Sequence, residues 1–250
     1  MTAAGAARYS ELQIWLADLE ALAPAMEACE QRYGLLAQSE RNWPTQSPPD
    51  TRRLRRLARI ALRTVLARAG SSPAHGAEFA ADANGKPALP GSELAFNASH
   101  AGDHALYIVS ALGPVGIDLE GERNVALSER RRAMIEVAAA SLARGKSVST
   151  FLQAWTCLEA FAKARGTGIG VLLGELGITA SGARDLADVD VAARAAGIIS
   201  ASDLELVPLH MPANFYAAVA APRPIAPVDL VVHSLEAAHF DLAMSGITAA

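Results

Sequence analysis

The segment Gly116-Ile117-Asp118-Leu119-Glu120 carries two carboxylates at a spacing of two residues. On a strand, successive side chains point to opposite faces, so Asp118 and Glu120 share one face while Ile117 and Leu119 share the other. Proteins hold Mg²⁺ with one or two carboxylates together with phosphate oxygens and water, so this pair is a candidate Mg²⁺ site. The alternative is an edge strand whose polar face is simply solvated.

A second segment, Trp155-Thr156-Cys157-Leu158-Glu159-Ala160-Phe161-Ala162-Lys163, has the apolar content of a helix. Trp155, Glu159 and Lys163 recur at intervals of four, so they lie on one helical face. Glu159 and Lys163 could form only a surface ion pair worth about 0.2–0.5 kcal/mol. The glycines at 166, 168 and 170 permit a close backbone approach to a ligand, but glycine also ends helices.

Two shorter segments offer polar groups and one cation. Phe96-Asn97-Ala98-Ser99-His100 places polar side chains at the end of an apolar strand, where phosphates are often bound, and Gly85-Lys86-Pro87 is a turn with one lysine. A single histidine is more often structural than catalytic, and most turn lysines are solvated. Neither segment indicates a function alone.

An arginine-rich helix is predicted from Asp50-Thr51 to about Ala69, closed by Gly70. Its arginines at 52, 56, 59 and 63 recur at spacings of four, three and four, so they share a face. These cations could bind phosphate, could receive an acidic partner, or could form a solvated face.

The remaining pattern predicts an α+β fold with two comparable halves, because helix followed by strands occurs twice along the chain. A hairpin is expected around Asn84-Gly85. The further predicted strands and helices are Leu12–Leu19, 20–36, Leu94–Phe96, Ala105–Leu112, Val115–Glu120, Thr150–Arg165, Leu204–Leu209, Phe215–Ala221 and 228–233.

Composition narrows the class of protein. The chain has 250 residues, 51% of them hydrophobic, and a formal net charge of -4, which argues against a general nucleic-acid binder. Cys29 and Cys157 have no metal-ligand spacing, which favours a reducing compartment. The N-terminus does not have the pattern of a signal peptide, and no run approaches the roughly 18 apolar residues of a membrane helix. We expect a cytoplasmic protein without membrane or nucleic-acid partners.

The four motifs GKP, FNxSH, GIDLE and WxxxEAxxKxxGxG, in this order, resemble the 4'-phosphopantetheinyl transferases of the surfactin-synthetase-activating type. The resemblance covers Gly85 to Gly168 firmly. It extends more loosely over the arginine-rich helix and over Tyr216–Ala220. The order of GIDLE and EAxxK is its most specific part.

The resemblance implies a monomer of two similar α+β halves, residues 1–113 and 114–250, with small, mainly antiparallel sheets packed against helices. Coenzyme A would bind in the cleft between the halves. The protein would transfer the 4'-phosphopantetheine group to a serine of an apo acyl or peptidyl carrier protein and release adenosine 3',5'-bisphosphate.

The resemblance also implies roles for single residues. Asp118, Glu120 and Glu159 match the acids that bind Mg²⁺ on the pyrophosphate, and Glu159 matches the base for the carrier serine, either directly or through a metal-bound water. The residues matched to coenzyme A binding are Lys163 on the pyrophosphate, Lys86 on the 3'-phosphate, His100 on the phosphates, Ser99 at the nucleotide end, and Arg53 on the arginine-rich helix.

Two positions depart from the family pattern. Leu158 stands where a lysine usually precedes the helix glutamate, and 130–134 (Arg-Arg-Arg-Ala-Met) replace the usual paired phenylalanines. Two alternatives therefore stay open: a coenzyme A-binding protein with little activity, and a Mg²⁺-dependent enzyme that cleaves a nucleotide pyrophosphate with water.

Overall fold

The computed structural model describes residues 12–42, 48–70, 76–81, 85–178, 190–212, 214–226 and 230–242. The elements follow in the order β1 (Leu12–Asp18), α1 (Ala23–Tyr33), α2 (Gln38–Arg41), α3 (Pro49–Arg68), β2 (Ala80–Ala81), β3 (Pro87–Ala88), β4 (Ala95–Ala101), β5 (His104–Ser110), β6 (Gly116–Gly121), α4 (Glu129–Leu142), α5 (Phe151–Ala164), α6 (Ile169–Leu176), α7 (Val191–Ser200), β7 (Leu204–Leu209), β8 (Phe215–Pro222), β9 (Val232–Ser234) and α8 (Ala238–Leu242).

The two larger of the three described sheets confirm the predicted α+β fold and the predicted similarity of the two halves. In the first sheet β5 lies between β4 and β1 and is antiparallel to both. In the second sheet β8 lies between β7 and β6 and is antiparallel to both. Along the chain, each half therefore has one strand, then helices, then two adjacent antiparallel strands. The first strand of each half forms hydrogen bonds with the last of these strands.

Alternating side chains pack the two sheets face to face. Leu12 and Ile14 of β1 meet Ile117 and Leu119 of β6 in one buried cluster. Neighbouring residues such as Trp15 point the other way, into a cluster with α1 and α3. The opposite face of the second sheet is covered by α4, α5, α6 and α7. The layers are thus helices, sheet, sheet and helices.

The end of the described chain returns to the first half. β9 pairs in parallel with β1, and Phe240 of α8 is buried in the cluster formed by α1 and α3. The division at 113/114 stays a prediction, and residues 230–242 pack with the first half.

Most predicted elements are present within a few residues of their expected bounds. The strand expected over 228–233 is found only at Val232–Ser234, and the hairpin of β2 and β3 has its predicted turn residue Asn84 outside the described residues. The helix predicted over 150–165 begins after Thr150, whose hydroxyl accepts a hydrogen bond from the Gln153 amide at 3.2 Å. Among the described helices, none is long and apolar enough to cross a membrane.

Gly116 determines how closely β6 approaches α5. A Cβ at this position would lie 2.0 Å from the Ala160 carbonyl oxygen and 2.4 Å from the Ala164 nitrogen. The strand backbone therefore rests directly on the helix backbone, which only glycine allows. This contact sets the distance between the acidic strand and the helix that carries Glu159 and Lys163.

Candidate functional site

The two carboxylates of β6 lie on the face predicted for them. Ile117 and Leu119 are buried between the sheets, so Asp118 and Glu120 point to the opposite face, toward α5. Asp118 is 5% exposed, and Glu120 lies near the end of the strand where solvent reaches it.

Lys163 of α5 joins the acidic strand. Its ammonium donates to Asp118 Oδ1 at 2.7 Å, to the Ile117 carbonyl at 3.2 Å and to Ser99 Oγ at 3.3 Å. Glu159, one helical turn earlier, is half-buried, and burial and the charges of Asp118 and Glu120 raise its pKa. The structure therefore brings the predicted residues of α5 to the predicted face of β6.

Two side chains of β4 cross to β6 and connect the halves. Asn97 Oδ1 accepts a hydrogen bond from the Ile117 amide at 3.0 Å, and Ser99 Oγ donates to Asp118 Oδ1 at 2.8 Å. Ser99 is thus beside the acidic residues. Asn97 had no assigned role from its sequence, although its place in the FNxSH segment marked the polar end of β4.

Burial and neighbouring charges raise the pKa values of two carboxyl groups of the site. Burial raises the pKa of Asp118 although Lys163 and Ser99 oppose the shift. Burial, followed by the charges of Asp118 and Glu120, raises the pKa of Glu159. A raised pKa means that ionisation is unfavourable in this environment, and a cation placed among the carboxylates would relieve the cost.

The residues fit a divalent cation by their chemistry, while their arrangement is incomplete. Asp118 Oδ2 is buried without a hydrogen-bond partner, which leaves one carboxylate oxygen for a ligand. In the part of the chain that the structure describes, no three acidic, histidine or cysteine side chains are already arranged as a metal site. Glu120 is held by Arg123, which donates to both of its oxygens at 3.0 and 2.9 Å.

A cationic cavity of about 590 Å³ lies between α3 and β4. Its lining includes Arg52, Arg55, Arg59, Ser99, His100 and Tyr107. Desolvation, then the charges of Lys163 and Arg55, lower the pKa of His100. The cavity is suited to an anionic ligand with an apolar part, because arginines lie beside aromatic and aliphatic surface.

The structure does not bring Arg53 to this cavity. Its guanidinium pairs with Glu20 at 2.5 Å and lies 3.9 Å from Glu27, on another side of α3. Arg63, from the predicted stripe, is fully buried and pairs with Glu40 at 2.8 Å. Arg55 was outside the stripe, although its spacing of three and four from Arg52 and Arg59 is also that of a shared helical face.

Lys86 lies against the backbone at the contact between α5 and β6. Its ammonium donates to the Val115 carbonyl at 2.7 Å and to the Lys163 carbonyl at 3.0 Å. It also lines a cavity of about 210 Å³ with Lys163 and Gly168. A contact with a 3'-phosphate stays a prediction, and the ammonium would have to give up these carbonyls to make it.

Leu158 has a structural role. It is 0% exposed and lies in the cluster of α4, α5, α6 and α7, where Phe151 is also buried and Trp155 packs at the edge. The leucine that replaces the family's usual lysine at this position is therefore a core residue.

Comparison with known proteins shows what the chain is similar to. No family model matches the chain. The chain is 34% identical over 168 residues to a Synechocystis sp. protein named "Putative 4'-phosphopantetheinyl transferase slr0495". The aligned part is 63% of this chain and 65% of the relative, so the chain spans less than two thirds of that protein's length. The relative supports the transferase family that the four motifs resemble.

Proposed function

We propose that this protein transfers the 4'-phosphopantetheine group of coenzyme A to a serine of an apo carrier protein. The observation that carries the proposal is the meeting of Ser99, Asp118 and Lys163 where the two halves join, with bond lengths of 2.7 to 3.3 Å. A polar cluster of this kind, beside a cationic cavity, suits a phosphate-bearing substrate.

Coenzyme A carries a nucleotide with a 3'-phosphate, a pyrophosphate and a pantetheine arm. Arg52, Arg55 and Arg59 line the larger cavity, where they would bind the anionic nucleotide end, and Arg59 is held in place by an ion pair with Glu40 at 2.9 Å. Lys163 and Ser99 lie beside the acids and would orient the pyrophosphate. The arginines of the cavity take the role expected of Arg53, because Arg53 pairs with Glu20.

Asp118, Glu120 and Glu159 would hold Mg²⁺, which when bound neutralises charge on the pyrophosphate as its phosphorus is attacked. Glu159 would accept the proton of the carrier serine, and burial has already raised its pKa in the direction that favours proton transfer. The serine oxygen forms a bond to the phosphorus that bears the pantetheine arm. The bond to the bridging oxygen breaks, and adenosine 3',5'-bisphosphate leaves.

The proposal includes the surfactin-synthetase-activating type, a monomer and a cytoplasmic location. The observation that supports the type is the repeated strand order of two halves within one chain. Location and oligomeric state remain expectations from the sequence. The carrier would be an acyl or peptidyl carrier protein.

The test is the fate of coenzyme A labelled in its pantetheine arm. With an apo carrier protein and Mg²⁺, we expect the label on the carrier. Label released as free phosphopantetheine would instead support a pyrophosphatase. Label that stays in bound coenzyme A would support a binding protein with little activity.

A further inference from the structure

Both oxygens of Glu120 are occupied by one guanidinium. Arg123 Nε donates to Oε2 at 3.0 Å, and Arg123 Nη2 donates to Oε1 at 2.9 Å. The pair is bidentate, which is the strongest geometry for arginine and a carboxylate. Each Glu120 oxygen therefore already has one cationic partner, and the positive charge of Arg123 opposes a metal ion at this carboxylate.

The carboxylates of Asp118 and Glu159 do not have both oxygens paired with a guanidinium. Lys163 occupies only Oδ1 of Asp118, and Oδ2 is buried without a partner. Among the described residues, none donates a hydrogen bond to Glu159. Lys163 also donates to the Ile117 carbonyl and to Ser99 Oγ, so it can keep its place if a cation binds the second oxygen of Asp118.

The Arg123 side chain can separate from Glu120. Its side chain is 48% exposed, so the guanidinium can turn into solvent. Exposed ion pairs are weak, at about 0.2–1 kcal/mol, because water solvates both charges. A divalent cation attracted by three carboxylates can displace such a partner.

The following inference rests on the proposed metal site. We propose that Arg123 is an intramolecular counterion that pairs with Glu120 in the metal-free protein and competes with the divalent cation for this carboxylate. Without a metal, the charges of Asp118, Glu120 and Glu159 act on one another, and Lys163 and Arg123 form ion pairs with Asp118 and Glu120. Arg123 keeps the acids together until the cation arrives, and it weakens cation binding as a consequence.

The experiment uses Mn²⁺ as the probe, with free Mn²⁺ measured by electron paramagnetic resonance, in the presence and absence of coenzyme A. We expect Arg123→Gln to bind Mn²⁺ about 1.4- to fivefold more tightly than the wild type, the range set by an exposed ion pair. Arg165→Gln is the matched control. Arg165 forms a second bidentate pair, with Glu175, and the same charge is lost.

A second comparison separates competition at Glu120 from a general structural effect. In a Glu120→Gln background, Arg123→Gln should no longer tighten Mn²⁺ binding, because the contested carboxylate is gone. Arg123→Lys should fall between the wild type and Arg123→Gln, since lysine keeps the charge and loses the bidentate geometry.

Unchanged or weaker Mn²⁺ binding by Arg123→Gln, in both conditions, would overturn the inference, as would equal tightening by Arg165→Gln. No Mn²⁺ binding by either protein would overturn it as well. The proposed function has a separate readout: tighter binding by Arg123→Gln without any carrier modification would retain the competition and reject the transferase.

Discussion

Ser99 and Asp118 meet where the two halves of the chain join. Ser99 Oγ, on β4, donates to Asp118 Oδ1, on β6, at 2.8 Å, and Lys163 of α5 reaches the same oxygen at 2.7 Å. One carboxylate oxygen thus connects three elements, while the second oxygen is buried without a partner. The carboxylate both links the halves and offers a ligand atom.

Asp118→Asn should separate these two roles. The amide keeps the shape and an acceptor for Ser99 and Lys163, and burial already disfavours the charged form. We expect the free energy of unfolding to change by no more than about 1 kcal/mol. Carrier modification should fall about 100-fold or more, as when other preorganised electrostatic groups are removed.

The matched control is Glu122→Gln, which makes the same charge change at an exposed carboxylate just after β6. Transfer within a few-fold of wild type by Asp118→Asn, at low Mg²⁺, would reject the assignment of Asp118 as a metal ligand.

Gly116→Ala should damage the site from a distance. The new Cβ would collide with the Ala160 carbonyl and the Ala164 nitrogen, both of them backbone atoms that cannot move without shifting the helix. We expect a loss of about 2 kcal/mol or more in the free energy of unfolding, measured by denaturant titration. Gly121→Ala, in the same strand, meets its nearest atom only at 4.0 Å and should cost far less. Equal losses at the two glycines would contradict the close contact.

Lys86→Met tests the bonds to the carbonyls of Val115 and Lys163. Removing a charged donor from these groups should lower the free energy of unfolding by about 1.5–3 kcal/mol. Lys146 is the control, because its ammonium pairs with Glu205 near the surface, and Lys146→Met should cost only about 0–1 kcal/mol.

The same Lys86 variant also tests the predicted contact with the 3'-phosphate. Such a contact predicts a larger loss of affinity for coenzyme A than for dephospho-coenzyme A. A large loss of stability with equal loss for both ligands would assign Lys86 to the junction of α5 and β6 instead.

Leu158→Lys should destabilise the protein rather than raise its rate. Leu158 is fully buried among apolar side chains, and an ammonium there has to be desolvated or neutralised, which costs several kcal/mol. Leu158→Met conserves volume and should cost less than about 1.5 kcal/mol. A stable Leu158→Lys protein with faster transfer would show that the missing lysine limits the chemistry.

Sequence patterns predicted what depends on local geometry. The alternation along 116–120 placed Asp118 and Glu120 on one face of β6, and the spacing of four placed Glu159 and Lys163 on one face of α5. Both follow from the fixed geometry of a strand and a helix. The contact between these two faces depends on Gly116, and its proximity to α5 became visible only in the folded chain.

Side chains whose partners are distant in sequence could not be assigned in this way. Arg63 forms a buried ion pair with Glu40, and Arg53 forms an exposed one with Glu20. The arginines of one helix therefore have different partners and different burial. Lys86 bonds to carbonyls 29 and 77 positions away. The pairing of β9 with β1 is likewise a long-range contact that no local pattern encodes.

The most direct test is the intact mass of an apo carrier protein after incubation with coenzyme A, Mg²⁺ and the wild-type chain. We expect a carrier heavier by one phosphopantetheine group, with an equal amount of adenosine 3',5'-bisphosphate. A carrier whose acceptor serine is replaced by alanine should stay unmodified, and a chelator should prevent the change. Glu159→Gln should slow it by roughly 10²–10⁴-fold. If neither acyl nor peptidyl carriers are modified by folded wild-type protein with coenzyme A and Mg²⁺, the proposed transferase activity is wrong.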